Sequence, residues 1–291
     1  MAGATCIWIG TTTAGDWSVA ANWSGAAVPV DGDFVYLENS SQDVTAGLAQ
    51  EGIALASLTI AQSYTGSIGT ATAYLKIGSV LTNIGQYFGI SRPNGSPMIK
   101  LDLNDTDTTA GTVNIYDSGR SSDPNVPTIR LLINEATTVV NSYKGDIGIA
   151  PITGETSTVG TINVSYRTNA SADADVFIGS GVTLTTLKAI GGDTVLNCAA
   201  TTVTSTAGTL STNGTGAITT LIVSGGTITL NSTGAITTVT GSGGTIDTTK
   251  SSSARTITTF NRSGTCKLKR DPSVLTITNY TSVGPEQIGQ I

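Results

Sequence analysis

The chain has 291 residues, of which 12% are charged and 35 are glycine, with no histidine at all. A net charge of -6 offers no basic footprint for direct nucleic-acid binding. The lack of histidine removes the usual general base, the usual zinc ligand and any Ser-His-Asp arrangement. No apolar run approaches the ~20 residues of a membrane-spanning helix, and no dozen residues carry a 3.6-period apolar stripe, so the composition predicts an all-β protein of short strands and tight turns.

Residues 1–52 stand apart as an N-terminal capping or anchoring module. All three tryptophans fall here, in Cys6-Ile7-Trp8-Ile9-Gly10, Gly15-Asp16-Trp17-Ser18 and Asn22-Trp23-Ser24. A Pro29 and Asp31-Gly32 turn then feeds an alternating strand, Phe34-Val35-Tyr36-Leu37. Three indoles so close together suit a sugar-stacking platform or the hydrophobic plug that an exposed sheet end requires, and the plug is favoured. The opening Met1-Ala2-Gly3-Ala4-Thr5 has neither a basic region nor an apolar stretch, so the expectation is synthesis and folding in a cytoplasm without a secretory signal. Cys6, Cys198 and Cys266 are odd in number and far apart, which points to small buried apolar residues and not to a disulfide framework.

The order Trp8-x-Gly10, Gly15 to Ser18, Asn22-Trp23, then Pro29 with Gly32-Asp33 and a strand resembles the opening module of β-helical proteins from tailed bacteriophages. Related openings occur in bacterial autotransporter passengers. The likeness is tight over about 35 residues and loose across the later repeats. It implies a virion-associated or surface-displayed β-helix and names no catalytic residue. Passengers would add an export signal and a membrane barrel, so the phage side of the resemblance is favoured.

Residues 53–180 predict irregular β-solenoid coils. The spacing of Leu55, Leu58 and Ile60 opens them. Strand-like runs follow at 74–77, 99–103, 112–116, 128–133, 137–140, 161–164 and 175–178. Loops at 91–95 and 121–125 would stand off one side, where partners are commonly met.

Residues 181–280 repeat a phrase at Leu184, Ala200, Ile218, Ile236, Ile257 and Leu275, in steps of 16, 18, 18, 21 and 18. A second phrase keeps step with it: Gly192-Asp193, Gly208-Thr209, Gly226-Thr227, Gly244-Thr245 and Gly264-Thr265. Such short cycles cannot hold a core alone and must stack on their neighbours, so the expected fold is a parallel β-helix or β-solenoid with a Trp-rich cap. Leu221 with Val223, and Ile228 with Leu230, should face inward while threonine faces water. No charged residue occurs from Thr194 to Ile246. Flat neutral sides of this kind favour packing between copies, and analogy with phage β-helices makes a homotrimer the expectation. Residues 281–291 form a tail, with Gly284-Pro285 ending regular pairing.

Paired carboxylates remain the one route to catalysis. Asp31 with Asp33, Asp105 with Asp107 and Asp173 with Asp175 each lie two apart, which on a strand is a spacing of about 6 to 7 Å. Their contexts read as turns, no EF-hand loop is present, and Gly225-Gly226 lacks the lysine of a phosphate loop. The expectation is a non-enzyme without catalytic, cofactor-binding or metal-ligating residues, binding neither nucleic acid nor membrane. Together with this, the resemblance to phage β-helical proteins implies a structural role: a capsid decoration or cement protein, made in the host cytoplasm and resident in the virion. Its partners would be itself and the major capsid protein or another virion protein. The alternatives are a tail spike or fibre that binds or depolymerises cell-surface glycan, and a bacterial surface adhesin.

Overall fold

A computed structural model describes residues 3–11, 15–86, 98–103, 111–119, 127–165, 174–283 and 288–290. Among them there is no α-helix, only one 3-10 turn at Ala20–Asn22, and every pairing between strands is parallel. The chain divides into two compact units, Met1–Ile149 with Ser157–Val159, and Ala150–Thr156 with Gly160–Ile291.

In the first unit the strands are β1 (Thr5–Trp8), β2 (Phe34–Leu37), β3 (Ala49–Ile60), β4 (Leu75–Ile84), β5 (Ile99–Leu103), β6 (Thr112–Ile115), β7 (Ile129–Ser142) and β8 (Gly145–Ile149). One ladder runs β1, β2, β3, β4, β6 and the second half of β7. A second joins the first residues of β4 to β5, the first half of β7 and β8. The runs at 128–133 and 137–140 are therefore two legs of one strand. β7 turns a corner where Asn134, Ala136 and Thr137 face solvent, and Glu135 accepts hydrogen bonds from the Thr137 backbone N–H (3.2 Å) and hydroxyl (2.9 Å).

β9 (Ser157–Val164) is shared between the units. The second unit contains β10 (Ala174–Ile178), β11 (Val182–Ala189), β12 (Asp193–Leu196), β13 (Ala200–Ser205), β14 (Thr209–Thr212), β15 (Ile218–Val223), β16 (Thr227–Leu230), β17 (Ile236–Gly241), β18 (Thr245–Asp247), β19 (Arg255–Ser263), β20 (Lys267–Arg270), β21 (Leu275–Val283) and β22 (Ile288–Gln290). Odd and even strands make separate ladders, each strand pairing with the one two further on. Leu187, Val203, Leu221, Val239 and Phe260 stand in one register column and are fully buried. The Thr-Thr doublets break strict alternation, because both members of Thr219-Thr220 point outward while Ile218 and Leu221 are buried. Ile228 and Leu230 face the core as expected.

The last cycle departs from the sequence alignment. Ile257 lies opposite Ile277, not Leu275, and Thr245 lies opposite Lys267, not Thr265. Each phrase slips by two residues, which preserves the inward parity of the strand. The slip also fits Cys266, which is fully buried against Gly241: a Cβ on that glycine would stand 2.4 Å from the sulfur. Corners between the two ladders are stacked too. The backbone N–H groups of Thr209, Thr227, Thr245 and Lys267 donate to the carbonyls of Gly192, Gly208, Gly226 and Gly244, all at 2.9 Å, and these four glycines hold φ between 65° and 77°.

Candidate functional site

The acid pairs do not assemble a catalytic dyad among the described residues. Asp105, Asp107 and Asp173 lie outside them, as do the loops at 91–95 and 121–125. Asp33 is 5% exposed and accepts the backbone N–H of Ala4 (2.7 Å) and Val30 (2.9 Å), with the Cys6 thiol at 3.6 Å. Asp31 accepts the N–H of Ala54 at 3.0 Å. Both therefore fasten turns to neighbouring segments, using carboxylate as a multiple acceptor. Asp175, on β10, is instead set beside Asp193 by register. That juxtaposition joins acids 18 residues apart, and only the period of the repeat could have revealed it. One oxygen of Asp193 is held by the hydroxyl of Thr209 in the next strand.

The three indoles are buried at 0 to 1% exposure. Trp8 and Trp17 each meet Trp23 edge-on, at centroid separations of 5.1 and 4.6 Å. Trp8 Nε1 donates to the Gln42 carbonyl (3.1 Å) and Trp23 Nε1 to the Trp17 carbonyl (2.7 Å). Around them Asn22 Nδ2 donates to the Asp16 carbonyl at 2.8 Å, and Ser24 N–H to the Ile7 carbonyl at 2.8 Å along the outer edge of β1. No indole face is open for a sugar ring.

Polar side chains also stack in ladders that run from buried to partly exposed positions. Asn83, Asn114 and Asn141 share a register, with Asn114 Nδ2 donating to Asn83 Oδ1 (3.1 Å) and Asn141 Nδ2 to Asn114 Oδ1 (2.9 Å). Two residues on, the half-exposed Tyr116 and Tyr143 stack at 5.3 Å with their planes 10° apart. Lys144 then pairs with Asp117 at 3.1 Å. In the second unit Asn231 Nδ2 donates to Asn213 Oδ1 at 3.2 Å. Inside the first unit, Lys100 is almost wholly buried; its ammonium donates to the Ala71 carbonyl (2.5 Å) and lies 5.6 Å from the centre of the Tyr74 ring.

All three cysteines are free and buried. Burial pushes the Cys198 thiol up to about 12 and raises those of Cys6 and Cys266, so the thiolate is suppressed at neutral pH. Among the described residues no group of three or more His, Cys, Asp or Glu side chains is placed to hold a metal ion, and no helix is long and apolar enough to cross a membrane. No protein-family model, curated protein or solved structure matches the chain. The geometry thus defines an all-β protein whose described strands pair in parallel and in register, with a few polar ladders of like residues among them.

Proposed function

We propose that the chain is a β-solenoid structural protein of a tailed-phage particle, a homotrimer that decorates or cements the capsid through contacts with the major capsid protein. The observation that carries this reading is the in-register parallel stacking of the second unit, where consecutive cycles bury apolar side chains in the same columns and turn mostly short Thr and Ser side chains outward. Stacked cycles resist compression and bending because each is hydrogen-bonded to both neighbours, as a passive strut requires. The opening-module residues support the same reading: Trp8, Trp17, Asn22, Trp23 and Asp33 are buried in packing and turn-fastening, as expected of an end cap. The neutral outward surface from Thr194 to Ile246 suits side-by-side association of copies.

A second reading, a spike or fibre that binds cell-surface glycan, draws support from the stacked Tyr116 and Tyr143 beside the asparagine ladder, since aromatic rings with neighbouring amides suit sugar hydroxyls. Quantifying the protein in purified particles separates the two. Hundreds of copies per particle, with density on the head in images of the intact assembly, support decoration. A few to a few dozen copies at the tail support the spike, and absence from particles removes both.

A further inference from the structure

One edge of β21 has no pairing strand among the described residues. Its pairing there is with β19 alone. The inward positions show the consequence. Ile257 and Phe260 of β19 are fully buried, whereas their register partners Ile277 and Tyr280 are only half covered. The Tyr280 ring rests edge-on against Phe260 at 5.6 Å, and its hydroxyl is buried without a hydrogen-bond partner. Val283 at the end of the strand is 68% exposed. The strand has nine residues and no charge, proline or glycine, so it carries none of the usual devices that keep an edge from pairing.

Its pattern is also symmetric. Leu275, Ile277, Tyr280 and Ser282 are the better-covered positions, and Thr276, Thr278, Asn279 and Thr281 the exposed ones. Reflection about the bond between Thr278 and Asn279 carries each set onto itself. An antiparallel pairing of two identical strands about a two-fold axis there sets Ile277 opposite Tyr280, Leu275 opposite Ser282 and Thr276 opposite Thr281. We infer that β21 is a self-association edge, at which it pairs with the same strand of a second copy. The two-fold arrangement is closed and isologous, so it stops at a pair and does not propagate into a fibre. Neutrality lets the strands meet without like-charge repulsion, and the pairing covers Ile277 and Tyr280 on both copies. The inference does not depend on a virion role. Side-by-side trimers that also paired here would form hexamers.

The register gives a direct test. Thr276→Cys and Thr281→Cys are prepared separately, mixed and oxidised; both positions are exposed, and the native cysteines are buried. A disulfide-linked dimer is expected from the mixture and from neither protein alone, because like positions lie five residues out of register, roughly 17 Å apart and beyond disulfide reach. Sedimentation analysis of the wild type should give an even number of copies, and Tyr280→Lys should halve that mass. No crosslink in the mixture, a dimer of Thr276→Cys alone, an odd-numbered wild type, or an unchanged mass in Tyr280→Lys would each overturn the proposal. A trimeric Tyr280→Lys protein against a hexameric wild type supports it and leaves side-by-side association intact.

Discussion

Truncating Leu221 tests whether the register columns form the core of the second unit. Its side chain is fully buried, with Val203 in register on one side and Val239 on the other. Leu221→Ala removes three carbon atoms from a column whose neighbours are held at the strand spacing by ladder hydrogen bonds. The walls of the resulting void cannot close without breaking those bonds. Leucine-to-alanine changes in cores cost about 2.7 to 5.0 kcal/mol, rising with the residual cavity, so a site that relaxes this little belongs in the upper half, about 4 kcal/mol. Thr219→Ala, two residues away and outward, should change stability by under about 0.5 kcal/mol. Urea titration followed by circular dichroism, with the slope unchanged between variants, measures both. A cost below about 1 kcal/mol for Leu221→Ala, or equal costs for the two variants, would refute the inward assignment.

Gly234→Ala probes the closeness of successive corners: the new Cβ would stand 2.0 Å from the Gly216 carbonyl oxygen, so the backbones must part by about an ångström, and a loss of roughly 2 to 4 kcal/mol in the same titration is expected. Asp33→Ala strips the acceptor from the Ala4 and Val30 N–H groups and should destabilise the first unit by about 2 to 3 kcal/mol, read from tryptophan fluorescence during unfolding. Trp8, Trp17 and Trp23 should emit at short wavelength and resist acrylamide quenching in the native protein; efficient quenching would contradict their burial. Burial alone would raise the Asp247 carboxyl, but hydrogen bonds from Thr249 and the charges of Lys269 and Lys250 bring it below its usual value. A lowered folded-state value contributes stability above the unfolded carboxyl range near pH 4 that is lost as pH falls through the folded one. Asp247→Asn should therefore flatten the acid limb of the second unit's stability, and an unchanged limb would count against that assignment.

The all-β class and the phases of Leu184 to Ile257 were legible in the sequence because a cycle that stacks in register must repeat its inward residues at the same phase. The slip at Ile277 was not. The pattern Leu275-Thr276-Ile277-Thr278 satisfies two registers of equal parity, and only the lengthened β19 and the seat of Cys266 beside Gly241 choose between them. The corner in β7 was hidden for a similar reason, since a strand that bends through solvent-facing residues looks like two strands separated by a turn. Asp31 and Asp33 looked like a possible dyad from their spacing, yet spacing carries no information on which backbone N–H groups a carboxylate meets. The pairing of Asp175 with Asp193 was missed because it depends on the cycle length and not on local sequence.

Net charge concealed how unevenly charge is used. Residues 1–75 hold six acids and no Lys or Arg, whereas 248–270 hold six Lys and Arg and no acid. In the first unit Asp31, Asp33 and Asp43 reach across to Ala54, Ala4 and Ser67 backbone N–H groups, 23 to 29 residues away, and so tie neighbouring segments without needing a cation. The regular cycles of the second unit make the equivalent tie with glycine carbonyls and threonine N–H groups. The reason is electrostatic. A residue repeated in register meets its copies at the strand spacing of about 4.8 Å, and identical charges at that distance repel along the whole column. Charge is accordingly sparse in these columns: that of Asp175 continues through Asp193, the one adjacent pair of like charges along it, then through the neutral Thr209, Thr227 and Thr245 to Lys267, and Asp247 stands opposite Lys269. The cost of stacking like charges disfavours charged residues throughout the neutral stretch from Thr194 to Ile246, whether or not copies associate there. Neutrality alone is thus no measure of how many copies assemble, and the mass of the Tyr280→Lys protein is the quantity that separates side-by-side association from pairing along β21.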